Sequence, residues 1–252
     1  MDNIDNEIQN IINYELNNGR KKLISKIQGV NFRYNSFNLC IGPQGSSKSC
    51  SVMKELMKLS YVPNDYHLII YVSNNESDDT VNSLCKYVSL PIVKCDYEEV
   101  EEKLKKIIYL KDEYNKMIDG KIPKNEHILK PLFINDFSKD RLHTFVLFDD
   151  AGFIFEKNTK SEIKKYLCQL RHLNMTVFCC IQIFNSIDPK LKSQLSSVYL
   201  FKGFSRERLQ YIYRQTPGID MTFEEFFSLY SKLEKYQKII VDCLSNETKM
   251  VS

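Results

Sequence analysis

Short apolar runs alternate with helical segments along most of the chain, and this alternation limits the folds open to it. Six such runs occur, at residues 37–42, 66–73, 143–150, 175–182, 197–203 and 237–243. Strands that are apolar along their whole length are buried on both faces, as in parallel sheets covered by helices. The pattern therefore predicts an α/β fold with a mostly parallel central sheet and helices on both faces.

The segments between these runs have the periodicity of amphipathic helices. Val100, Leu104 and Ile107 recur at helical spacing in a long helix over residues 98–118. Further helices are predicted at residues 4–16, 48–59, 77–88, 159–172, 205–214 and 221–233. Because no linker rich in Pro, Gly or Ser divides the 252 residues, we expect a single domain. Its parts are an N-terminal amphipathic helix and lead-in (1–36), a core (37–214) and a C-terminal helix and strand extension (215–252).

Composition excludes several other classes of protein. With 43% hydrophobic and 27% charged residues, the chain is globular rather than disordered. Its longest purely apolar runs are about five residues, against roughly 18 for a membrane span, and its acidic start is unlike a signal peptide. We therefore expect no membrane partner. The eight cysteines form no C-x-x-C pair, which predicts reduced thiols and an intracellular, reducing compartment.

Residues 39–50, LCIGPQGSSKSC, carry most of the functional information. They fit the pattern of a strand, G-x-x-x-x-G-K-[ST] and a helix, which binds phosphate through backbone N–H groups and the positive end of the helix. Lys48 is predicted to neutralise the β and γ oxygens of a nucleotide, and Ser49 to ligate Mg²⁺. The predicted nucleotide-binding residues are Gly42, Pro43, Gln44, Gly45, Ser46, Ser47, Lys48, Ser49 and Cys50.

Ser47 departs from this pattern, because it stands where the last glycine is usual. If the position requires a positive φ, serine there costs on the order of 1 kcal/mol, which the binding of a triphosphate outweighs. The alternative is a simple Ser/Gly turn between a strand and a helix.

Two later strands end in polar residues that complete a P-loop ATPase site. Asp149 and Asp150 close the run FVLFDD; we assign Asp149 to the metal and Asp150 to polarising the attacking water. Asp150 is one methylene shorter than the usual Glu, so it must lie closer to the water or act through a second one. Gln182 ends the run MTVFCCIQ and would lie beside the γ-phosphate in the additional-strand (ASCE) class. The alternatives are two acids that cap a strand and an exposed strand-end glutamine.

The motifs GPQGSSKS, LFDDAG and RHLNMTVFCCIQ together resemble the FtsK-HerA superfamily, and within it the DNA-packaging ATPases of poxviruses, other large DNA viruses, virophages and Polinton-like elements. The resemblance covers roughly residues 37–214, the ATPase core. It implies a P-loop NTPase of the additional-strand class that uses ATP and Mg²⁺. It also implies a ring of identical subunits that moves double-stranded DNA into a viral capsid, with a capsid or portal protein as a further partner.

A ring motor needs a cation from the neighbouring subunit to stabilise the transferring phosphoryl group. Arg171 is the first candidate because it lies in the resembling motif, followed by Arg206, Arg208 and Arg214; the alternative is an arginine that caps a helix end. Sequence-neutral contact with DNA phosphates is predicted for a basic cluster within residues 188–214, and the loop at 119–142 is a second candidate. The cluster consists of Lys190, Lys192, Lys202, Arg206, Arg208 and Arg214.

Two other functions remain open at this point. One is a cellular or plasmid DNA translocase of the same superfamily. The other is a nucleotide-binding switch or scaffold with weak hydrolysis, which the departures at Ser47 and Asp150 favour.

Overall fold

The computed structural model of the protein describes residues 30–61, 67–74, 90–135, 137 and 141–251, together with Asn82, Cys85, Lys86 and Val88. The helix predicted at residues 4–16 and most of the helix predicted at 77–88 lie outside the described residues. None of the helices in this described part combines the length and apolar character that a membrane span requires.

The described elements follow the predicted alternation of strands and helices. The strands are β1 (Phe37–Ile41), β2 (His67–Val72), β3 (Ile92–Cys95), β4 (His143–Phe148), β5 (Met175–Ile181), β6 (Ser197–Phe201), β7 (Lys238–Asp242) and β8 (Glu247–Val251). The α-helices are α1 (Lys48–Met57), α2 (Val100–Ile118), α3 (Glu126–Leu129), α4 (Ile163–Leu167), α5 (Leu170–Leu173), α6 (Pro189–Lys192), α7 (Arg206–Gln215) and α8 (Phe223–Ser231). Short 3₁₀ turns occur at Lys58–Tyr61, Lys130–Leu132, Gly152–Phe155 and Phe184–Ser186.

All the strands form one sheet in the order β3-β2-β4-β5-β1-β6-β7-β8. The pairs from β3 to β6 are parallel, whereas β7 pairs antiparallel with β6 and β8 antiparallel with β7. Strand β5 lies between β1 and β4, so that Val177 is opposite both Phe37 and Val146. The mostly parallel sheet, with the extra strand between the phosphate-loop strand and the acid-bearing strand, is confirmed.

Helices cover both faces of the sheet, as the continuous apolar strands predict. Alternate side chains of a strand point to opposite faces. Leu39 belongs to the core cluster that contains Leu104 of α2, whereas Cys40 belongs to the cluster that contains Val52 and Leu56 of α1. Strands β1, β2, β4, β5 and β6 are buried along their whole length, which explains why most of their residues are apolar and why apolar and polar residues do not alternate.

The structure differs from the predicted elements at the two edges of the sheet and in one helix. The edge strands β3 and β8 were not predicted, because each is short and partly exposed and β8 reads ETKMV, with polar side chains throughout its first half. The single helix predicted at 159–172 is two short helices, α4 and α5, separated by Cys168 and Gln169. The predicted strand at 237–243 is present as β7, but it runs antiparallel to the rest.

The residues that matter for function lie at one edge of the sheet, the edge formed by the ends of the strands rather than by an outermost strand. Because β2, β4, β5, β1 and β6 are parallel, their carboxyl ends all lie at this edge, and antiparallel β7 begins there. We call it the carboxyl edge. Ligands of open α/β sheets bind outside the carboxyl ends of the strands.

Candidate active site

The phosphate loop, residues 42–49, leads from the carboxyl end of β1 into α1. The Gly42 N–H donates to the carbonyl of Ile181 at the end of β5, over 3.2 Å. A Cβ atom at Gly42 would overlap Ser46 Oγ and lie 2.8 Å from Phe201 Cβ. Since contacts to a Cβ atom are not this short, a side chain at position 42 would displace the loop from the ends of β5 and β6.

Two residues of the phosphate loop have left-handed backbone. Gly45 has φ of 72° and Ser47 has φ of 65°. Ser47 is also the N-cap residue of α1, yet its side chain makes no capping hydrogen bond. The positive φ that the motif requires of its last glycine is therefore adopted here by a serine, at a cost of roughly 1 to 2 kcal/mol relative to right-handed backbone.

Lys48 begins α1 and is buried, with 7% of its surface exposed. Its Nζ donates to the carbonyls of Gly42 and Pro43, each over 3.0 Å. These bonds hold the ammonium group over the phosphate loop, beside the positive amino end of a ten-residue helix. An ammonium held by neutral carbonyls gains by exchanging them for anionic phosphate oxygens.

Ser49 and Asp149, the two residues predicted to hold the metal, contact each other. Ser49 Oγ donates to Asp149 Oδ1 across 100 residues of sequence. The Tyr71 hydroxyl donates to Asp149 Oδ2 over 2.8 Å. Among the described residues there is no group of three or more His, Cys, Asp and Glu side chains that could hold a metal. A hydroxyl and one carboxylate fit Mg²⁺, which keeps most of its waters and takes few protein ligands.

Asp150 and Gln182 contact each other directly at the carboxyl edge. Gln182 Nε2 donates to both carboxylate oxygens of Asp150, over 3.1 and 3.0 Å. Asp150 has a left-handed backbone with φ of 54°, which turns the chain immediately after Asp149. Strand β5 lies between β4 and β1 in the sheet. Gln182, which follows β5, therefore lies between Asp150, which follows β4, and the phosphate loop, which follows β1.

Three residues outside the sequence motifs contact Asp149 or Gln182. Besides Tyr71, the Tyr97 hydroxyl donates to the Asp149 carbonyl, and Arg208 Nη2 donates to the Gln182 carbonyl over 2.5 Å. Burial, followed by the charges of Asp149 and Asp150, raises the pKa of Tyr97, so its hydroxyl keeps its proton and remains a donor. Recognising β3 in the sequence would have placed Tyr97 here, because it follows that strand by two residues.

Lys48, Ser49, Asp149, Asp150 and Tyr97 all line one cleft with a volume of about 1210 Å³. It extends from the Asp150 side, across the phosphate loop, to the turn before β7. A volume of this order is ample for a nucleotide, and its polar groups converge on the phosphate loop. The lining residues are Gln44, Gly45, Ser47, Lys48, Ser49, Cys50, Ser51, Lys54, Glu55, Lys58, Ser73, Asn74, Tyr97, Asp149, Asp150, Tyr236 and Lys238.

Arg171 lies away from this cleft within the same chain. It is exposed on α5, immediately before β5, whereas Gln182 follows that strand at the other end. A strand of seven residues spans about 23 Å at roughly 3.3 Å per residue. Arg171 therefore lies at the amino end of β5, far from the cleft of its own chain.

The predicted basic cluster is not a uniform exposed patch. Lys192 is buried with its Nζ 4.4 Å from the centroid of the Phe184 ring, and burial lowers its pKa. Arg206 forms an ion pair with Glu224. Lys190, Lys202 and Arg214 are exposed, as are Arg206 and Arg208. In the second predicted region, 119–142, the described part contains α3 and a 3₁₀ turn, and Lys121 and Arg141 both pair with Asp119.

The fold is shared with solved viral proteins. The genome packaging NTPase B204 of Sulfolobus turreted icosahedral virus 2, solved with AMPPCP, is 16% identical with a TM-score of 0.53, over 86% of this chain and 97% of that one. The DNA-packaging ATPase B204 of Sulfolobus turreted icosahedral virus is 15% identical with a TM-score of 0.56, again over 86% of this chain and 97% of that one. No family model and no curated protein matches the chain. The chain therefore has the P-loop NTPase fold of these packaging proteins, which confirms at the level of the fold the resemblance that its motifs indicate.

Proposed function

We propose that the protein is a Mg²⁺-dependent ATPase that moves double-stranded DNA into a viral capsid. One observation carries the proposal: Lys48, Ser49, Asp149 and Asp150 line one cleft, and Gln182 contacts Asp150 there, although Lys48 and Gln182 are 134 residues apart in the sequence. The solved B204 structures in complex with AMPPCP and ATP-gammaS support it, because they share the fold and hold nucleotide triphosphate analogues.

The phosphate loop binds the triphosphate in this proposal. The loop N–H groups and the amino end of α1 contact the β-phosphate, and Lys48 Nζ leaves the carbonyls of Gly42 and Pro43 for the β and γ oxygens. Ser49 Oγ and the Asp149 carboxylate would hold Mg²⁺, which neutralises charge on those oxygens when bound. Tyr71 keeps the second Asp149 oxygen oriented.

Asp150 acts as the base that orients the attacking water. The water oxygen forms a bond to the γ-phosphorus, its proton passes to an Asp150 oxygen, and the bond to the ADP oxygen breaks. Gln182 Nε2 holds the Asp150 carboxylate in the ground state. In this proposal it also senses the loss of the γ-phosphate. Because the Asp150 side chain is short, a second water between it and the attacking water fits the same scheme.

The transition-state cation comes from a neighbouring subunit of a ring. Arg171 remains our candidate for this role, since its distance from the cleft of its own chain is what a residue acting in trans requires. Among the residues that the structure describes, Arg208 contacts the site within the chain, through the Gln182 carbonyl. It is therefore the candidate for a cation supplied in cis.

Contact with DNA is sequence-neutral and goes through phosphates. The exposed side chains of Lys190, Lys202 and Arg214 supply positive charge, and a ring repeats them around its pore. The region 119–142 offers fewer free charges, because Lys121 and Arg141 already pair with Asp119. A capsid or portal protein completes the proposed set of partners.

The experiment is the ATPase rate of the purified protein with and without double-stranded DNA, at two salt concentrations. We expect hydrolysis that DNA stimulates, with stimulation that fades as salt rises because phosphate contacts weaken. Lys48→Ala should abolish hydrolysis, whereas Lys106→Ala, an exposed lysine on α2, should leave it unchanged. Hydrolysis that survives Lys48→Ala, or no hydrolysis by the wild type with DNA, would refute the proposal.

Two alternatives have distinct signatures. A hexameric ring active on circular DNA without a capsid partner would favour a cellular or plasmid translocase. The departures from the motif at Ser47 and Asp150 favour a nucleotide-binding switch or scaffold with weak hydrolysis. Tight ATP binding with negligible turnover, unchanged in the double variant Ser47→Gly and Asp150→Glu, would support that second alternative.

A further inference from the structure

Tyr236 is an exposed aromatic residue that neither the motifs nor the hydrolysis scheme uses. It lies in the turn between α8 and β7, with 61% of its surface exposed. Its φ of 72° is left-handed, which is uncommon for a bulky residue other than glycine. A large ring held outside the core in a strained conformation calls for a reason other than packing.

The sheet topology places Tyr236 beside the phosphate loop. Because β7 is antiparallel, its amino end lies at the carboxyl edge, where β1 and β6 end. Strand β7 is two strands from β1, or about 10 Å at roughly 4.8 Å per step. Tyr236 lines the main cleft with Lys48 and Ser49. It also lines a smaller adjoining pocket of about 370 Å³ with residues 43–47.

Tyr236 and the catalytic carboxylates lie on opposite sides of the phosphate loop. Asp150 follows β4, two strands from β1 in one direction, and Tyr236 precedes β7, two strands from β1 in the other. A triphosphate that has its terminal phosphate at Asp150 must extend its ribose and base toward the other end of the cleft. That end is lined by Tyr236 and Lys238 together with Lys54, Glu55 and Lys58 of α1 and the turn that follows it.

We propose that the Tyr236 ring is the surface on which the nucleobase of the bound triphosphate stacks. This rests on the proposed function, in that it requires a nucleotide at the phosphate loop. Lys235 Nζ lies 5.1 Å from the ring centroid, so the base takes the ring face turned away from this cation. A purine offers a larger π face than a pyrimidine, so the site prefers purine nucleoside triphosphates.

The test is equilibrium binding by calorimetry with Mg²⁺ and three probes: ATP, CTP and inorganic triphosphate, which has no base. The variants are Tyr236→Ala, Tyr236→Phe and Tyr236→Asn. Asparagine removes the ring but tolerates left-handed backbone, so it separates stacking from strain. Tyr109→Ala is the matched control, because Tyr109 is equally exposed, at 62%, on α2 and outside both pockets.

We expect Tyr236→Ala and Tyr236→Asn to weaken ATP binding by roughly 5- to 150-fold, the range that loss of one stacked base implies. CTP binding should weaken less, and inorganic triphosphate should bind unchanged. Tyr236→Phe and Tyr109→Ala should behave as the wild type. Unchanged ATP binding in Tyr236→Asn would overturn the inference while leaving the proposed function intact, and so would an equal loss for ATP and inorganic triphosphate. A wild type that binds neither ligand would overturn both.

Discussion

The replacement Ser47→Gly tests whether the phosphate loop is strained by the one serine that departs from the motif. Ser47 has φ of 65° and ψ of 29° at the N-cap position of α1, and its side chain donates and accepts no capping bond there. Replacement by glycine therefore removes no capping interaction. It changes chiefly the free energy of holding left-handed backbone.

Two opposing contributions set the size of the effect. Left-handed backbone at a residue with a side chain costs roughly 1 to 2 kcal/mol, and glycine relieves it. Glycine also gives the unfolded chain more conformational freedom, which lowers the free energy of unfolding by roughly 0.5 to 1 kcal/mol and offsets part of that gain. We therefore expect Ser47→Gly to increase the free energy of unfolding by about 0.5 to 1 kcal/mol.

Urea unfolding measures this directly, because the midpoint should rise while the slope with urea stays constant. Gly45→Ser is the matched control in the same loop. Gly45 has φ of 72°, and a Cβ atom there meets no atom within 4 Å, so this variant adds strain without a clash. It should lower the free energy of unfolding by about 1 kcal/mol. If Ser47→Gly destabilised the protein, or Gly45→Ser left its stability unchanged, the strain we assign to this loop would be refuted.

Two further predictions concern stability against pH and the fit of the phosphate loop. Burial lowers the pKa of His67 to about 4, against about 6.5 in the unfolded chain. The unfolded state then binds more protons between these values, so stability falls by about 3 kcal/mol as pH drops from 6.5 to 4. In urea unfolding, His67→Gln should lose less stability than the wild type over this pH range. Equal losses in the variant and the wild type would contradict this prediction. Gly203→Ala puts a Cβ atom 2.6 Å from Pro43 Cγ, so ATP binding should weaken about tenfold by calorimetry, or about 1.4 kcal/mol. Gly120→Ala, where φ is also positive (70° against 122° at Gly203) but a Cβ atom meets open space, should bind ATP normally; an equal loss there would contradict this reasoning.

Much of the fold could be predicted because its central strands are buried on both faces. A strand such as β5, reading MTVFCCI, is apolar except for Thr176, so its apolar run is visible without any periodicity. The edge strands β3 and β8 lack this signal, since one face or both are open to solvent. The direction of β7 was also not predictable, because an apolar run has the same composition in either orientation.

The candidate site likewise contains residues that the sequence predicts and residues that it does not. Lys48, Ser49, Asp149 and Gln182 belong to local patterns of strand, turn and polar residue, and the structure brings them together at the carboxyl edge. The contacts that Tyr97 makes with Asp149 and Arg208 makes with Gln182 join residues 52 and 26 positions apart, and they leave no local pattern.

The sequence by itself determined the alternation of strands and helices, the phosphate loop and the residues that end β4 and β5. These depend on side chains near one another in the chain, where burial and turn chemistry act locally. Only the tertiary structure decided the strand order, the antiparallel β7 that brings Tyr236 to the phosphate loop, and the position of Arg171 at the amino end of β5. Each of these depends on which strands pair across the sheet, and pairing is settled by packing among distant segments rather than by any one of them.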